Sequence, residues 1–318
     1  MADILVYAEV GSDGSADTTA LELLTKAREL GSVDAVALGP GASSIAEKLG
    51  EHGAGKVFVN DDDVFADYVA QPAAEALAQL VQQEQPQLVL FATNYESRDV
   101  AGRLSAKLGA TLMSNATGLV DLDTAQTAIF GGSTIVDVKL EGSPKIVLVR
   151  PKSFVPEPSG GSASVEQLSV EISDDLKKAK RIERHEEAAS GPRLDQAAVV
   201  ISGGRGLQEP DNFKLLDELA DAIGGAAVGA TRAVVDAGWV PYSYQIGQTG
   251  ITVKPGVYLA FGISGATQHI VGMKGSKRII AVNKDEEAPI FQLADLGVVG
   301  DALKVLPQLI EEVKSRKG

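Results

Sequence analysis

The sequence predicts an α/β protein of two domains, each a mostly parallel sheet flanked by helices. Short apolar runs alternate with helical patterns in residues 1–110 and again after residue 195, as repeated βαβ units require. The chain has 318 residues, which favours two domains over one. The segment 186–195 (EEAASGPRLD) is charged, then small, then Gly-Pro, which indicates a linker. We therefore expect domains at residues 1–190 and 191–318.

The first predicted domain begins with four strand–helix units. Pro72 suits a first helical turn, and Gly31 and Gly109 suit helix ends. Between residues 111 and 186, short β-rich runs separated by Gly and Asp turns predict further strands that complete this domain. The strands of the four units are predicted at 4–10, 33–39, 56–60 and 87–93, and the helices at 19–30, 44–53, 72–85 and 97–109.

The second predicted domain repeats the alternation. A strand is predicted at 197–204, a helix at 211–224 and a closing helix at 302–317, which Pro307 should kink or restart. Further strands are predicted at Val257–Ile263 and Arg278–Asn283, each next to a glycine-rich turn.

The turn GISGATQH (262–269) is the most informative local feature. Its strand ends at Ser264, which suits an N-cap, so we expect a helix from Gly265–Ala266. Such a turn presents backbone N–H groups and the positive end of a helix. It therefore predicts a site for an anion such as a pyrophosphate.

Composition excludes several classes of function. The chain lacks Cys and has only three His, so we expect no disulfides and no metal site. A net charge of −14 disfavours nucleic acids and anionic membranes as partners. No apolar run is long enough to span a bilayer and the N-terminus lacks a leader pattern, so we expect a cytoplasmic protein without direct membrane insertion.

Common catalytic and nucleotide motifs are also absent. GEHGAGKV (50–57) approaches a phosphate-binding loop, but it ends in Val and follows a helix instead of a strand. The sequence contains no GxGxxG, HExxH or GxSxG, and no base–nucleophile pair or metal-ligand set. We therefore expect no catalytic residues, and a carrier instead of an enzyme.

An ordered set of short motifs carries a resemblance to a known family. The set is SGGRG (202–206), ATRAVVDAGW (230–239), QIGQTG (245–250), VKPGVYLAFGISGATQHIVGM (253–273), IIAVNKDEEAPIF (279–291) and ADLGVVGD (294–301). Together they resemble the flavin-binding domain of the electron transfer flavoprotein α subunit. The resemblance implies one noncovalent FAD, held mostly by the second domain as a doubly wound α/β unit. It also implies an obligate heterodimer with a β subunit, which completes the flavin site and binds AMP.

The resemblance assigns roles to individual residues. Arg205 would contact the cofactor pyrophosphate and Arg232, beside Thr231, the isoalloxazine ring, where a guanidinium stabilises the negative charge of a reduced flavin. Thr249 would bond toward flavin N5, and His269 would donate to the C2 carbonyl. The remaining expected contacts are Gln245, Ile246, Gly247 and Gln248 with the cofactor, Gly262, Ser264, Gly265, Ala266 and Gln268 around the ribityl-phosphate segment, and Asn283 and Asp301 at the adenosine end.

Plainer interpretations stand beside these roles. Arg205 and Arg232 could be solvated surface charges, and Thr231 and Asp301 could be ordinary helix caps. A lone histidine such as His269 is more often structural than functional.

The expected function is electron transfer from dehydrogenases, such as the acyl-CoA dehydrogenases of fatty acid oxidation, to a membrane quinone oxidoreductase or a similar acceptor. One alternative is the α subunit of an NADH-using, electron-bifurcating flavoprotein with a second flavin in its β subunit. Another is an NAD(P)-binding enzyme of similar fold.

Overall fold

The computed structural model of the protein describes residues 2–11, 13–130, 134–183 and 192–317. The chain divides into two compact units, Met1–Arg184 and His185–Gly318. The predicted boundary between residues 190 and 191 lies outside the described residues, as does most of the predicted linker.

The first unit is built around a large parallel sheet. Its strands are β1 (Ile4–Ala8), β2 (Val33–Leu38), β3 (Lys56–Asn60), β4 (Leu88–Ala92), β5 (Thr111–Ala116), β6 (Gly118–Leu119), β7 (Thr124–Ile129), β8 (Thr134–Lys139), β9 (Lys145–Val149) and β10 (Ser164–Gln167). Its helices are α1 (Thr18–Ala27), α2 (Ala46–Glu51), α3 (Val64–Asp67), α4 (Gln71–Glu84) and α5 (Tyr95–Leu108). Seven strands form the parallel sheet in the order β10-β3-β2-β1-β4-β9-β5, and β6-β7-β8 form a separate antiparallel sheet.

Local sequence explains the helix boundaries in the first unit. The Asn94 side chain accepts from the Ser97 N–H and caps α5, which ends at Gly109 with φ +63°. Pro72 lies in the first turn of α4, as predicted. By contrast α1 ends at Ala27, so the prediction that Gly31 ends this helix is wrong.

The β-rich segment after residue 111 divides between two sheets. β9 enters the parallel sheet between β4 and β5, where all its residues are buried. β7 and β8 pair with each other as an antiparallel hairpin. These strands belong to the first unit, as predicted: β5, β9 and β10 extend its main sheet, whereas β6, β7 and β8 form the separate one.

The second unit contains a five-stranded parallel sheet. Its strands are β11 (Val199–Gly203), β12 (Ala226–Ala230), β13 (Val257–Phe261), β14 (Ile279–Asn283) and β15 (Leu296–Val299), and its helices are α6 (Lys214–Ile223), α7 (Arg232–Val235), α8 (Thr267–Met273) and α9 (Ala302–Lys317). The strand order is β12-β11-β13-β14-β15. Apolar clusters cover both faces of the sheet. The predicted fold class, parallel sheets flanked by helices, is confirmed in both units.

Two details of the second unit differ from prediction. α9 is one continuous helix through Pro307, so the predicted restart is wrong. Pro307 lies in the second turn, where its missing N–H removes a single helical bond. α8 begins at Thr267 with Ala266 as its N-cap, later than the predicted start at Gly265–Ala266.

Candidate cofactor site at the carboxyl edge of the second sheet

The strand order of the second unit creates a crevice where ligands of open parallel sheets bind. β11 pairs with β12 on one side and β13 on the other, so the connections leave β11 and β13 in opposite directions. Such a switch point, at the carboxyl ends of the strands, is the usual binding position in doubly wound sheets. The register aligns Gly203 with both Ala230 and Phe261, so the turns that follow these residues begin at one level.

The turns after β11 and β13 pack backbone against backbone. The Gly204 N–H donates to the Phe261 carbonyl and the Gly206 N–H to the Gly262 carbonyl, both at 3.0 Å. Gly262 has φ +63°, and a Cβ on Gly206 would lie 2.5 Å from its Cα. Only glycines fit at this contact, so no side chain covers the two backbones where they meet.

The turn after β13 is fixed on its other side by the segment after β14. The Ser264 carbonyl accepts from the Ile290 N–H at 3.1 Å, and the Asn283 side-chain amide donates to the Ile263 carbonyl at 2.9 Å. Gly265 has φ +87°, and a Cβ there would collide with the Ile290 backbone. This left-handed residue keeps the chain out of helical geometry, which is why Ser264 does not cap α8 as predicted.

The start of α8 is left without a side-chain cap. Its N-cap residue is Ala266, and no side chain of the described residues makes a capping bond to it. Among the described residues, the backbone N–H groups of Thr267 and Gln268 have no acceptor. Ser264, Ala266 and Gln268 are exposed beside these groups. The arrangement presents several hydrogen-bond donors to a ligand.

The QIGQTG loop lies between the end of β12 and α8. The Ile246 N–H donates to the Ala230 carbonyl at 2.9 Å, and the Gln248 N–H donates to the Gln268 carbonyl at 2.7 Å. Gly247, buried between these two anchors, donates its N–H to the Ile251 carbonyl. The loop is therefore attached both to the end of β12 and to α8.

Within this loop, one buried amide orients an exposed hydroxyl. Gln245 is 2% exposed, and its Nε2 donates to Thr249 Oγ1 at 3.0 Å. The Tyr242 hydroxyl donates to the Thr249 carbonyl. Gln248 and Thr249 themselves are exposed, so both side chains are accessible to a ligand.

Two arginines follow the first two strands of the sheet. Arg205 is exposed on a short 3₁₀ turn after β11 and forms no ion pair within the described part of the chain. Arg232 opens α7 and pairs with Asp236 at 3.1 Å, both side chains being exposed. Thr231 precedes it at the N-cap position, but its side chain makes no capping bond; its N–H donates to the Gly203 carbonyl.

The residues predicted for the adenosine end have structural partners. The Asn283 side chain accepts from the Asp285 N–H, in addition to its bond to the Ile263 carbonyl. Asp301 accepts from the Leu303 N–H at 3.1 Å and so caps α9. Its other oxygen pairs with Lys284 at 3.1 Å, and this hydrogen bond holds the pKa of Asp301 below its ordinary value.

His269 is the buried polar centre of the site. It is 6% exposed, and burial lowers the pKa of its imidazole to about 4, so the ring is neutral at physiological pH. Its Nδ1 lies 3.0 Å from the Ile246 carbonyl oxygen, and its Nε2 lies 2.8 Å from the Tyr258 hydroxyl. Both ring nitrogens are thus occupied within the chain, and this arrangement leaves no ring N–H for the predicted bond to a flavin carbonyl.

Tyr258 is a residue that our sequence analysis missed. It belongs to the apolar run VYLAF, which indicates only a buried strand. The feature of the sequence that could have identified it is its hydroxyl, because a tyrosine in a fully buried strand needs a hydrogen-bond partner.

Comparison with known proteins identifies the family. The family model of the electron transfer flavoprotein domain matches residues 4–173, and that of the electron transfer flavoprotein FAD-binding domain matches residues 193–274. The electron transfer flavoprotein subunit alpha of Mycobacterium leprae is 42% identical over the full length of both chains. This chain belongs to the electron transfer flavoprotein α-subunit family. The subunit alpha of Mycobacterium tuberculosis (strain H37Rv) is 43% identical over both full lengths, and protein FixB of Clostridium saccharobutylicum is 35% identical over 98% of this chain and 96% of that protein.

Family membership confirms three predictions. The chain is an electron carrier of this family, it is not an enzyme with its own substrate, and its cofactor is FAD. Within the described residues, no cluster of acidic and histidine side chains could hold a metal ion. The helices of that same part are too short or too polar to cross a bilayer.

The site's chemistry fits FAD. The diphosphate of a dinucleotide needs backbone N–H donors and a cation, and uncapped N–H groups at Thr267 and Gln268 lie at the same sheet edge as Arg205. A flavin ring needs hydrogen-bonding groups along its polar edge, and the exposed Gln248 and Thr249 are side chains that can supply an amide and a hydroxyl.

Proposed function

We propose that this chain binds FAD at the carboxyl edge of the second sheet and carries electrons as the α subunit of a heterodimer with a β subunit. The supporting observation is the close backbone contact of Gly206 and Gly262 at the switch point, with exposed donors on the surrounding turns. When bound, FAD supplies a ring that accepts electrons from a donor and releases them singly.

The chain's own residues divide into two groups in this proposal. Arg205, with the turn formed by Gly262, Ser264, Gly265, Ala266 and Gln268, binds the phosphate-bearing part. The guanidinium of Arg205 neutralises phosphate charge, and the exposed Ser264 and Gln268 donate hydrogen bonds. Asn283 and Asp301 lie at the end of β14 and the start of α9, where they contact the adenosine end while keeping their structural bonds.

The second group contacts the ring. Gln248 and Thr249 donate to its polar edge, and the buried Gln245 holds Thr249 in place. Arg232, which pairs with exposed Asp236, lies beside Thr231 and supplies positive charge to the reduced ring. Ile246, Gly247 and His269 complete the wall behind these side chains.

The partners form the finer part of the proposal. We infer that the β subunit completes the flavin site and holds AMP, that acyl-CoA or other dehydrogenases supply the electrons, and that a membrane quinone oxidoreductase or a similar protein receives them. We also place the complex in the cytoplasm. The support is the resemblance in the second unit and the full-length similarity to proteins named subunit alpha.

Copurification with the β subunit tests the proposal. The complex is expected to show a flavin spectrum and to release one FAD per heterodimer by mass analysis. A colourless complex that refuses added FAD would contradict it. Two flavins per heterodimer, with reduction by NADH, would support the bifurcating alternative.

A matched pair of arginine variants tests the location of the site. Arg205→Ala is expected to weaken FAD binding at least about tenfold, because a charge-assisted hydrogen bond to phosphate is lost. Arg278→Ala is the control, since Arg278 is also exposed but precedes β14, at the opposite edge of the same sheet. Equal FAD affinities in the two variants would show that the site does not lie at the carboxyl edge.

A further inference from the structure

A tyrosine hydroxyl joins the start of the QIGQTG loop to its end. Tyr242 opens the short 3₁₀ turn Tyr242–Tyr244, which leads into the loop, and its hydroxyl donates to the carbonyl of Thr249, seven residues further on. The direction of this bond is unambiguous, because a carbonyl oxygen only accepts hydrogen bonds. The Tyr242 carbonyl in turn accepts from the Gln245 N–H at 2.9 Å, so the tyrosine is attached to both ends of the loop.

The peptide group between Thr249 and Gly250 is held by two bonds. The Thr249 carbonyl and the Gly250 N–H belong to this one planar group. The N–H donates to the Gly247 carbonyl at 3.2 Å, and the carbonyl accepts from the Tyr242 hydroxyl. The first bond lies within the loop, whereas the second ties the group to the 3₁₀ turn before the loop. The Tyr242 hydroxyl therefore fixes the end of the loop relative to its start.

Thr249 is thus held at its backbone as well as at its side chain. The buried Gln245 amide lies 3.0 Å from Thr249 Oγ1, and the carbonyl of the same threonine accepts from Tyr242. With the bond at Oγ1 alone, the Thr249 backbone could still turn about that atom. The bond at the carbonyl restricts this motion, so the exposed hydroxyl presents its remaining hydrogen-bonding capacity in one direction.

We propose that Tyr242 is a positioning residue of the flavin site: its hydroxyl holds the Thr249 carbonyl, and this bond keeps the Thr249 hydroxyl in the position from which it bonds to the flavin ring. The link to FAD rests on the proposed function, which places Thr249 at the ring. The bond between Tyr242 and Thr249 is a property of this chain. Tyr242 is 49% exposed, so water replaces part of the bond when the hydroxyl is lost, and we expect a change of a few-fold.

The test is a double-mutant cycle in the purified heterodimer. Tyr242→Phe removes the hydroxyl and keeps the ring. Thr249→Ala removes the hydroxyl that bonds to the flavin and keeps the carbonyl that accepts from Tyr242. Because Tyr242 acts through the threonine hydroxyl, Tyr242→Phe should weaken FAD binding about three- to tenfold in the wild type and less than about 1.5-fold in Thr249→Ala. A tyrosine that only stabilised the loop would weaken binding equally in both backgrounds.

Two further measurements complete the test. The reduction potential of the bound flavin should shift in Tyr242→Phe in the same direction as in Thr249→Ala, since both variants weaken one bond to the ring. Hydrogen exchange at the Gly250 amide should become at least about threefold faster in Tyr242→Phe, with or without FAD. Tyr68→Phe is the control and should match the wild type throughout, because Tyr68 belongs to the first unit, where its ring faces Lys180.

The outcomes distinguish the role of Tyr242 from the proposed function. Unchanged FAD affinity in Tyr242→Phe, or an equal loss of affinity in the two backgrounds, would overturn the positioning role. A heterodimer that binds no FAD would instead overturn the proposed function, and the exchange rate at Gly250 would still show whether Tyr242 holds the end of the loop.

Discussion

Gly206 and Gly262 touch through their backbones: a Cβ built on Gly262 would lie 2.6 Å from the Cα of Gly206, and one built on Gly206 would lie 2.5 Å from the Cα of Gly262. The two residues belong to the turns that leave β11 and β13 at the switch point of the sheet. This contact therefore sets the spacing of the two turns that we assign to the cofactor.

Gly206→Ala should destabilise the second unit by about 1–3 kcal/mol, because neither backbone can give way without moving a strand end. Denaturant unfolding of the heterodimer, followed by a probe in this chain, measures the change, and FAD retention should fall with it. Gly102→Ala is the control. Gly102 is exposed within α5 with nothing within 4 Å of its added Cβ, so alanine should stabilise that helix by about 0.5–1 kcal/mol. If Gly206→Ala left the free energy of unfolding unchanged, the two turns would have room to separate.

Arg232→Ala should lower the reduction potential of the bound flavin, since it removes a cation that favours the negatively charged reduced ring. The shift is read by spectroscopic redox titration of the heterodimer. Arg316→Ala is the matched control, because Arg316 on α9 is also exposed and also pairs with an acid four residues away, Glu312. Both exposed pairs contribute less than about 1 kcal/mol, so stability should hardly change in either variant. Equal reduction potentials in the two variants would show that Arg232 does not lie beside the flavin ring.

Much of the fold follows from the sequence alone. Apolar runs such as KVFVN at residues 56–60 and ILVYA within 4–10 became buried parallel strands, because a strand covered on both faces must be apolar throughout. The helix boundaries were less predictable. Gly265 decided the start of α8 through a left-handed conformation forced by contact with Ile290, which is distant in sequence. Local capping rules carry no information about such a contact.

The candidate site, too, was predictable from the sequence only in part. Glycine-rich turns after strands predicted its position, since the carboxyl ends of parallel strands meet at one edge. The bonds of His269 to Tyr258 and Ile246 were not predictable, because they join three separate segments inside the core. The family resemblance implied a histidine that faces the flavin, whereas the structure shows one whose two ring nitrogens both have partners in the chain.

The first unit should lose stability as the pH rises, through one buried carboxyl. Glu22 on α1 is 1% exposed, and burial raises its pKa to about 7, against the opposing effect of the Phe154 and Lys152 N–H groups. As the pH rises, the folded state thus keeps a proton that the unfolded chain, with a pKa of 4.5, releases at a lower pH. The stabilising effect of that proton is complete below about pH 4.5 and is lost as the pH rises through about 7.

Glu22→Gln should therefore stabilise the first unit at pH 8, on the order of 2 kcal/mol, and change little at pH 4.5. Thermal unfolding at the two pH values measures the difference. Glu47→Gln, at an exposed position on α2, is the control and should leave the pH dependence as it is in the wild type. A Glu22→Gln variant with the same pH profile as the wild type would show that water reaches the carboxylate.

Two substitutions at His269 separate its two possible roles. The amide nitrogen of Asn reaches the position of imidazole Nδ1, whereas the amide of Gln reaches that of Nε2. If His269 holds the loop through Nδ1–H and Ile246, as the structure shows, His269→Asn should keep FAD affinity within about threefold of wild type, and His269→Gln should lose about tenfold, the equivalent of one buried hydrogen bond. If the histidine instead donates to the flavin from Nε2, the order of the two variants reverses. Equilibrium titration of FAD into the cofactor-free heterodimer decides between the two orders, and hydrogen exchange at Gln248 should rank the variants in the same way.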